Sequence, residues 1–328
     1  MEDHQQEASG RAIVMKRVTI RQSVSIYLLF LFFGCSLYGQ KAGQSLVAKW
    51  LVKKANGRVA INSVDGSHSA INGYYRYVPA AVGTGLRFDG YTTSVSCSVS
   101  HAPKLKSSFT LNAWVAMNTY PWSWVPIVDQ EKEHEEGYSF GIDAFGHFGL
   151  EASINGQWYK LISKVRLPLK RWAHVTGTFN SSHGQGVMKI YLNGKQAGRL
   201  DVDGDFTPAH VGILIGRVRQ ASMPFPQAAI HPYYPIWYSM DGILNDVEIY
   251  NRSLSSEEIA NAYAAIKAPV GDVLPWQKLP SGPPGVGPFG AYYTTLHYQG
   301  AWDRLRRVGP DSDVVVRFDE APIRFVFW

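Results

Sequence analysis

Only two cysteines, Cys35 and Cys97, occur in the 328-residue chain. That scarcity excludes a disulfide-stapled scaffold and any zinc site built on paired thiolates. No Lys/Arg run tracks a phosphate backbone; 32 basic residues stand against 26 acidic ones and the excess is thinly spread, which speaks against a nucleic-acid partner. No apolar run reaches the roughly 20 residues a bilayer-spanning helix needs. Helical periodicity is scarce as well. What the chain does have is 31 Gly, 18 Pro, 10 Trp, 18 Tyr and 15 Phe, a composition that favours short strands joined by turns over a helical bundle.

Residues 1–40 read as a secretion signal. Lys16, Arg17 and Arg21 precede the apolar stretch VSIYLLFLFFG at 24–34, and small, turn-prone residues follow. The acidic residues before Met15 are foreign to such a leader, which makes Met15 an alternative start. Acylation of Cys35 is the alternative to plain secretion, although Phe32 stands where a lipoprotein signal has Leu. Either way the chain is expected outside the cytoplasm, on the cell surface or in the periplasm, and as a monomer.

Between residues 44 and 268, period-two alternation recurs between turn signals, as in LRFDG at 86–90, FTLNAWV at 109–115, YSFGI at 138–142 and WAHVTGTF at 172–179. The clearest hairpin is VMKIYL at 187–192 followed by Asn193-Gly194, with Met188, Ile190 and Leu192 on one face. Ser255 and Glu258 form a capping box, and Leu254 and Ile259 a hydrophobic staple, so a helix is predicted from Ser256 to about Ile266. Six prolines and five glycines then make 269–290 a linker. Strand-like segments within 291–328 read as the start of a truncated β-rich domain, too short to bury a core alone.

FTLNAWV, WAHVTGTF, IYLNGK at 190–195, ILIG at 213–216 and DGILNDVEIYNRSLS at 241–255 occur in the order typical of concanavalin A-like, laminin G-like domains, which the chain resembles over 46–268. The resemblance implies an all-β fold, an antiparallel jelly-roll β-sandwich of two sheets with six or seven strands each, and glycan or protein binding, often beside a polysaccharide-degrading enzyme. It also implies a structural calcium ion, for which Asp89 and Asp246 match the acidic positions best; Asn245 departs from the usual Ile. The alternative is that Asp89 holds a turn with Gly90 and that Asp246 bonds a backbone amide. More weakly, 298–328 resembles the opening of the domain that follows such modules in ulvan-lyase-like proteins, implying a parent lyase acting on a uronate-containing glycan.

No catalytic residue is assigned. Retaining glycoside hydrolysis needs carboxylates on alternate strand positions, and the nearest run, Glu131 to Glu136, reads as a solvated loop. His174 reads as a polar face residue without triad partners. Asp201, Asp203 and Asp205 look calcium-like but read as a connecting loop and lack the terminal Glu of a helix-loop-helix site. Exposed aromatics carry the binding expectation, since flat rings stack on pyranose C–H groups. Two clusters qualify: Trp122 with Trp124, and Tyr233, Tyr234 and Trp237 in the long loop 217–238. The bland alternative has these rings sealing the sandwich edge or packing on the next domain. The expected function is a secreted, noncatalytic carbohydrate-binding module for a neutral or anionic polysaccharide. The competing classes are a lyase fragment and a protein-binding spacer.

Overall fold

The computed structural model describes residues 45–274, apart from 91, 122 and 220–238, together with three short strands near the C-terminus. In chain order the strands are β1 (Leu46–Val52), β2 (Val59–Asn62), β3 (His68–Asn72), β4 (Arg76–Pro79), β5 (Thr84–Asp89), β6 (Ser94–Cys97), β7 (Ser108–Met117) and β8 (Val125–Lys132). There follow β9 (Glu136–Ile142), β10 (His147–Ile154), β11 (Gln157–Arg166), β12 (Trp172–Ser182), β13 (Gln185–Leu192), β14 (Lys195–Asp203), β15 (Ile213–Ile215), β16 (Asp241–Tyr250) and the helix α1 (Ser256–Ala265). The last three strands, β17 (Arg306–Val308), β18 (Val315–Arg317) and β19 (Pro322–Arg324), pair antiparallel in a small sheet of their own.

This is the expected all-β jelly-roll sandwich, with one difference in connectivity. Instead of two separate sheets, one hydrogen-bonded path runs β11-β10-β9-β8-β15-β6-β3-β2-β1-β16-β7-β12-β13-β14, with β5 on β16 and β4 on β5. Pairing β1 with β16 joins the layers and removes two exposed edges that would otherwise invite aggregation.

The core between the layers takes every second side chain. Phe109 on β7 meets Tyr138 on β9 at 5.3 Å, Phe179 on β12 at 5.6 Å and Phe206 at 5.0 Å between ring centres. All four are buried, with Phe140, Phe148, Leu150 and Val175 around them. Register follows from the predicted hairpin: Asn193 and Gly194 adopt positive φ, Leu192 faces Lys195, and Met188, Ile190 and Leu192 all turn to the core. Gly194 is required twice over, because a side chain there would also press on Ala260 and Tyr263 of α1.

The helix covers the outer face of the layer containing β7, β12 and β16. Leu254 and Ile259 pack on Tyr191, as a staple should, and Tyr263 stacks on Trp114 at 5.7 Å. His174, opposite Trp114 in register, lies under this cover at 1% exposure. Burial holds its imidazole down at about 4, so at neutral pH it is an uncharged packing element, more enclosed than a polar face residue should be.

Both halves of the capping box form: the Ser255 hydroxyl accepts from the Glu258 N–H, and the Glu258 carboxylate accepts from the Ser255 N–H. Arg252 adds a bidentate pair to that carboxylate at 2.7 and 2.8 Å. The guanidinium first, and the Ser255 N–H with it, hold Glu258 at about 2. Its ionised form therefore stabilises the fold above the ordinary value of 4.5, and this contribution is lost as pH falls through about 2. Ser255→Ala should cost about 1 kcal/mol in denaturant unfolding. Glu258→Gln should lower Tm at pH 7, with the gap to the parent chain closing as pH drops towards about 2; a gap independent of pH would show that the pair contributes packing rather than charge.

Candidate functional site

The opposite outer face, on β8 to β11, is built differently. Because Phe140 and Leu150 enter the core, their neighbours Ser139 and Glu151 must point outward, and antiparallel register extends them into a row: Asp129, Ser139, Glu151, Lys160. A second row runs through Glu131, Gly137 and, on the next strand pair, Ser153 opposite Trp158. The carboxylates in these rows are nonetheless buried, Asp129 to 1%, Glu131 to 4% and Glu151 to 2% exposure.

What buries them is a second layer of rings and cations, each footed on an oxygen below. Trp124 donates its indole N–H to the Ser139 hydroxyl at 2.9 Å, and Trp158 donates to Glu151 at 2.8 Å. Lys160 pairs with the other Glu151 oxygen at 2.7 Å. Arg219 reaches Asp129 through Nε at 3.0 Å and the Gly212 carbonyl at 2.7 Å. The His134 N–H donates to Glu131, and its ring stacks on Trp158 at 5.0 Å. Gly141 lets the Trp124 ring approach: a Cβ there would stand 2.9 Å from the indole and 2.5 Å from the Val125 carbonyl. With each indole N–H occupied underneath, both ring positions are fixed before any ligand arrives.

Two corrections to the sequence reading follow. Glu131 is not in a solvated loop; it lies in β8, which ends at Lys132, as a buried footing for His134, and the turn is confined to residues 133–135. Asp201 and Asp203 lie in β14 rather than on a connection, and Asp201 is paired with Arg199.

Of the predicted binding rings, Trp124 belongs to this face, while Trp122, Tyr233, Tyr234 and Trp237 lie outside the described residues. Trp158 was missed, yet a signal existed. Asn155-Gly156 is a two-residue turn with both φ positive, and counting outward from it places Ser153 opposite Trp158 and Glu151 opposite Lys160.

Asp89 and Asp246, the expected calcium ligands, are not brought together. Asp89 stands opposite Asp241, five residues before Asp246 on β16, so the two carboxylates are separated by roughly 15 Å of strand. Asp89 accepts from the Thr92 N–H, the Thr92 hydroxyl, the Thr93 N–H and the Ser239 hydroxyl, as a turn-holding residue does. Asp246 sits at a bulge with φ 51° and pairs with Lys49 at 2.5 Å. Asn245, the departure from the family pattern, uses its side chain to hold Val82 and Thr84. Among the described residues no group of three or more His, Cys, Asp or Glu side chains is arranged to hold a metal ion. No helix among them is long and apolar enough to cross a membrane.

A family model described as the concanavalin A-like lectin/glucanases superfamily matches residues 89–260, just over half of the chain. No curated protein matches it. Among solved structures, the binding domain of Paraclostridial Mosquitocidal Protein 1 is similar at 12% identity and a TM-score of 0.51, over 68% of this chain and 52% of that one. The botulinum neurotoxin serotype C1 binding domain is similar at 16% and 0.50, over 69% and 53%. Domain 4 of AbnA, a GH43 extracellular arabinanase from Geobacillus stearothermophilus, in complex with arabinotriose, gives 14% and 0.48, over 66% and 97%. The chain thus spans about half the length of the two toxin domains, and at these identities the likeness is one of fold.

Burial pushes the Asp129 carboxyl up to about 7 against the pull of Arg219, and its Oδ1 has no hydrogen-bond partner among the described residues. A raised native value means the folded chain holds a proton that the unfolded chain has released. The resulting stabilisation is full below the ordinary 3.8 and is lost as pH rises through about 7. The Tm of the parent chain relative to Asp129→Asn should therefore fall between about pH 4 and about pH 7 and level off above. A constant difference would mean that Arg219 keeps the carboxylate ionised throughout.

Proposed function

The chain belongs to the concanavalin A-like lectin/glucanase superfamily, and from that premise we propose that its sandwich is a noncatalytic glycan-binding module that holds a polysaccharide-degrading parent protein on its substrate. One observation carries the reading: Trp124 and Trp158 are anchored by their N–H groups to Ser139 and Glu151, which are register partners on adjacent strands. Two rings fixed this way supply apolar faces for pyranose C–H groups. Lys160 and His134, more than half exposed, are placed to bond hydroxyls beside them.

Arg219, near the start of the segment 217–238, seats its guanidinium on Asp129 of this face. In our reading Tyr233, Tyr234, Trp237 and Trp122 are further rings for glycan binding. The leader-like pattern of residues 1–40, basic residues before an apolar run, supports the secretion that such a role requires.

The module reading is tested by affinity electrophoresis of the chain in gels containing neutral and acidic polysaccharides. Trp158→Ala and Trp124→Ala should each weaken retention by about 1–2 kcal/mol, roughly five- to thirtyfold in Kd, with little change in Tm. Variants that bind normally but melt much earlier would make the rings packing elements and leave a protein-binding or spacer role in place of the lectin one.

A further inference from the structure

At one end of the sandwich a cleft of about 430 Å³ opens between the β6–β7 connection and the β14–β15 connection. Its volume falls within the range of small-molecule sites. Both walls are pinned. On one, the Ser98 carbonyl accepts from the N–H groups of His101 and Ala102. On the other, the Thr207 carbonyl accepts from Gly137, the Thr207 N–H donates to Ser153, and Gln130 reaches across to the Val211 carbonyl. The cleft is therefore shaped by bonds that need no ligand, and a ligand entering it avoids the cost of ordering the walls.

Its chemistry is one-sided. The floor is apolar: Leu105 and Phe206 line it as buried side chains, with Pro103 and Pro208 also in the lining. Among the described residues, the charged or chargeable side chains that line it are all basic: Lys104, Lys106 and His210, each exposed. Asp205, adjacent to Phe206 in sequence, accepts from Ser181 and is not part of the lining. An apolar floor with a cationic rim selects an amphipathic anion. Ser100 and Gln130 add hydroxyl-bonding groups that a hydrocarbon acid would not use.

We propose that this cleft binds a uronate residue of a polysaccharide, its C–H face on Leu105 and Phe206 and its carboxylate on the Lys104, Lys106 and His210 rim. The proposal rests on the glycan-binding reading but uses a different surface from the Trp124–Trp158 face. It makes the module selective for acidic glycans, with neutral stretches held on the sheet and acidic units at the sandwich end.

The test is calorimetric titration of the full chain with trimers of galacturonate, glucuronate and mannuronate, each beside its methyl ester. At least one acid form should bind about tenfold more tightly than its ester, and added salt should erase the difference. Combining Lys104→Ala, Lys106→Ala and His210→Ala should abolish the preference without moving Tm, since all three side chains are exposed. Trp158→Ala should weaken acid and ester alike and preserve the preference. Equal binding of acid and ester, a preference that survives the triple substitution, or binding of decanoate but of no uronate would each overturn the cleft assignment. Failure to bind neutral polysaccharide as well would instead overturn the module reading itself.

Discussion

The constraint on which the rest of the sandwich depends is the aromatic contact across its middle. Phe109, Tyr138, Phe179 and Phe206 meet between the layers, and three of them sit on strands whose side chains alternate with period two. Fixing one ring inward on β7, β9 and β12 fixes the direction of every other residue on those strands. A slip of one residue would bring Ser139 and Thr178 into the core and expel Phe140 and Phe179, a cost of several kcal/mol per ring. The polar rows on β8 to β11 are therefore a consequence of the core as much as a feature of the surface.

The two outer faces solve the same problem in different ways. Behind β7 and β12, Trp114 and His174 are covered by Tyr263 of α1 and by the segment reaching Leu274, and that face is a second small core. On β8 to β10 the inner residues are carboxylates and serines, which cannot be covered by hydrocarbon without losing their hydrogen bonds. They are covered instead by indole, imidazolium-capable, ammonium and guanidinium groups that donate downward and keep their apolar flanks free.

Elsewhere charge is used locally rather than collectively. Lys49 bridges Asp246 and Glu248 at the bulge in β16, where the positive φ of Asp246 is tolerated because a short polar side chain pays least for it. Burial together with Glu248 raises the Asp246 carboxyl, and although burial opposes it, the two carboxylates raise Lys49. The same three residues thus stabilise the irregular step at which β16 changes its pairing with β7.

Local sequence was enough for whatever is decided within a few residues: the Asn193-Gly194 hairpin and its inward face, the Ser255–Glu258 box and its staple, and the alternation that marks β7 and β12. It also contained the pairing of Trp158 with Ser153 through Asn155-Gly156. Alternation states which residues share a face but not what covers that face, so Glu131 looked solvated and His174 looked half-open until α1, His134 and Trp158 were in position. The separation of Asp89 from Asp246 was likewise hidden, because it depends on the register of β5 against β16, residues some 150 positions apart. The cleft lined by Lys104, Lys106, Phe206 and His210 joins two connections a hundred residues apart in the chain, and only the packed ends of the sheets bring them to one rim.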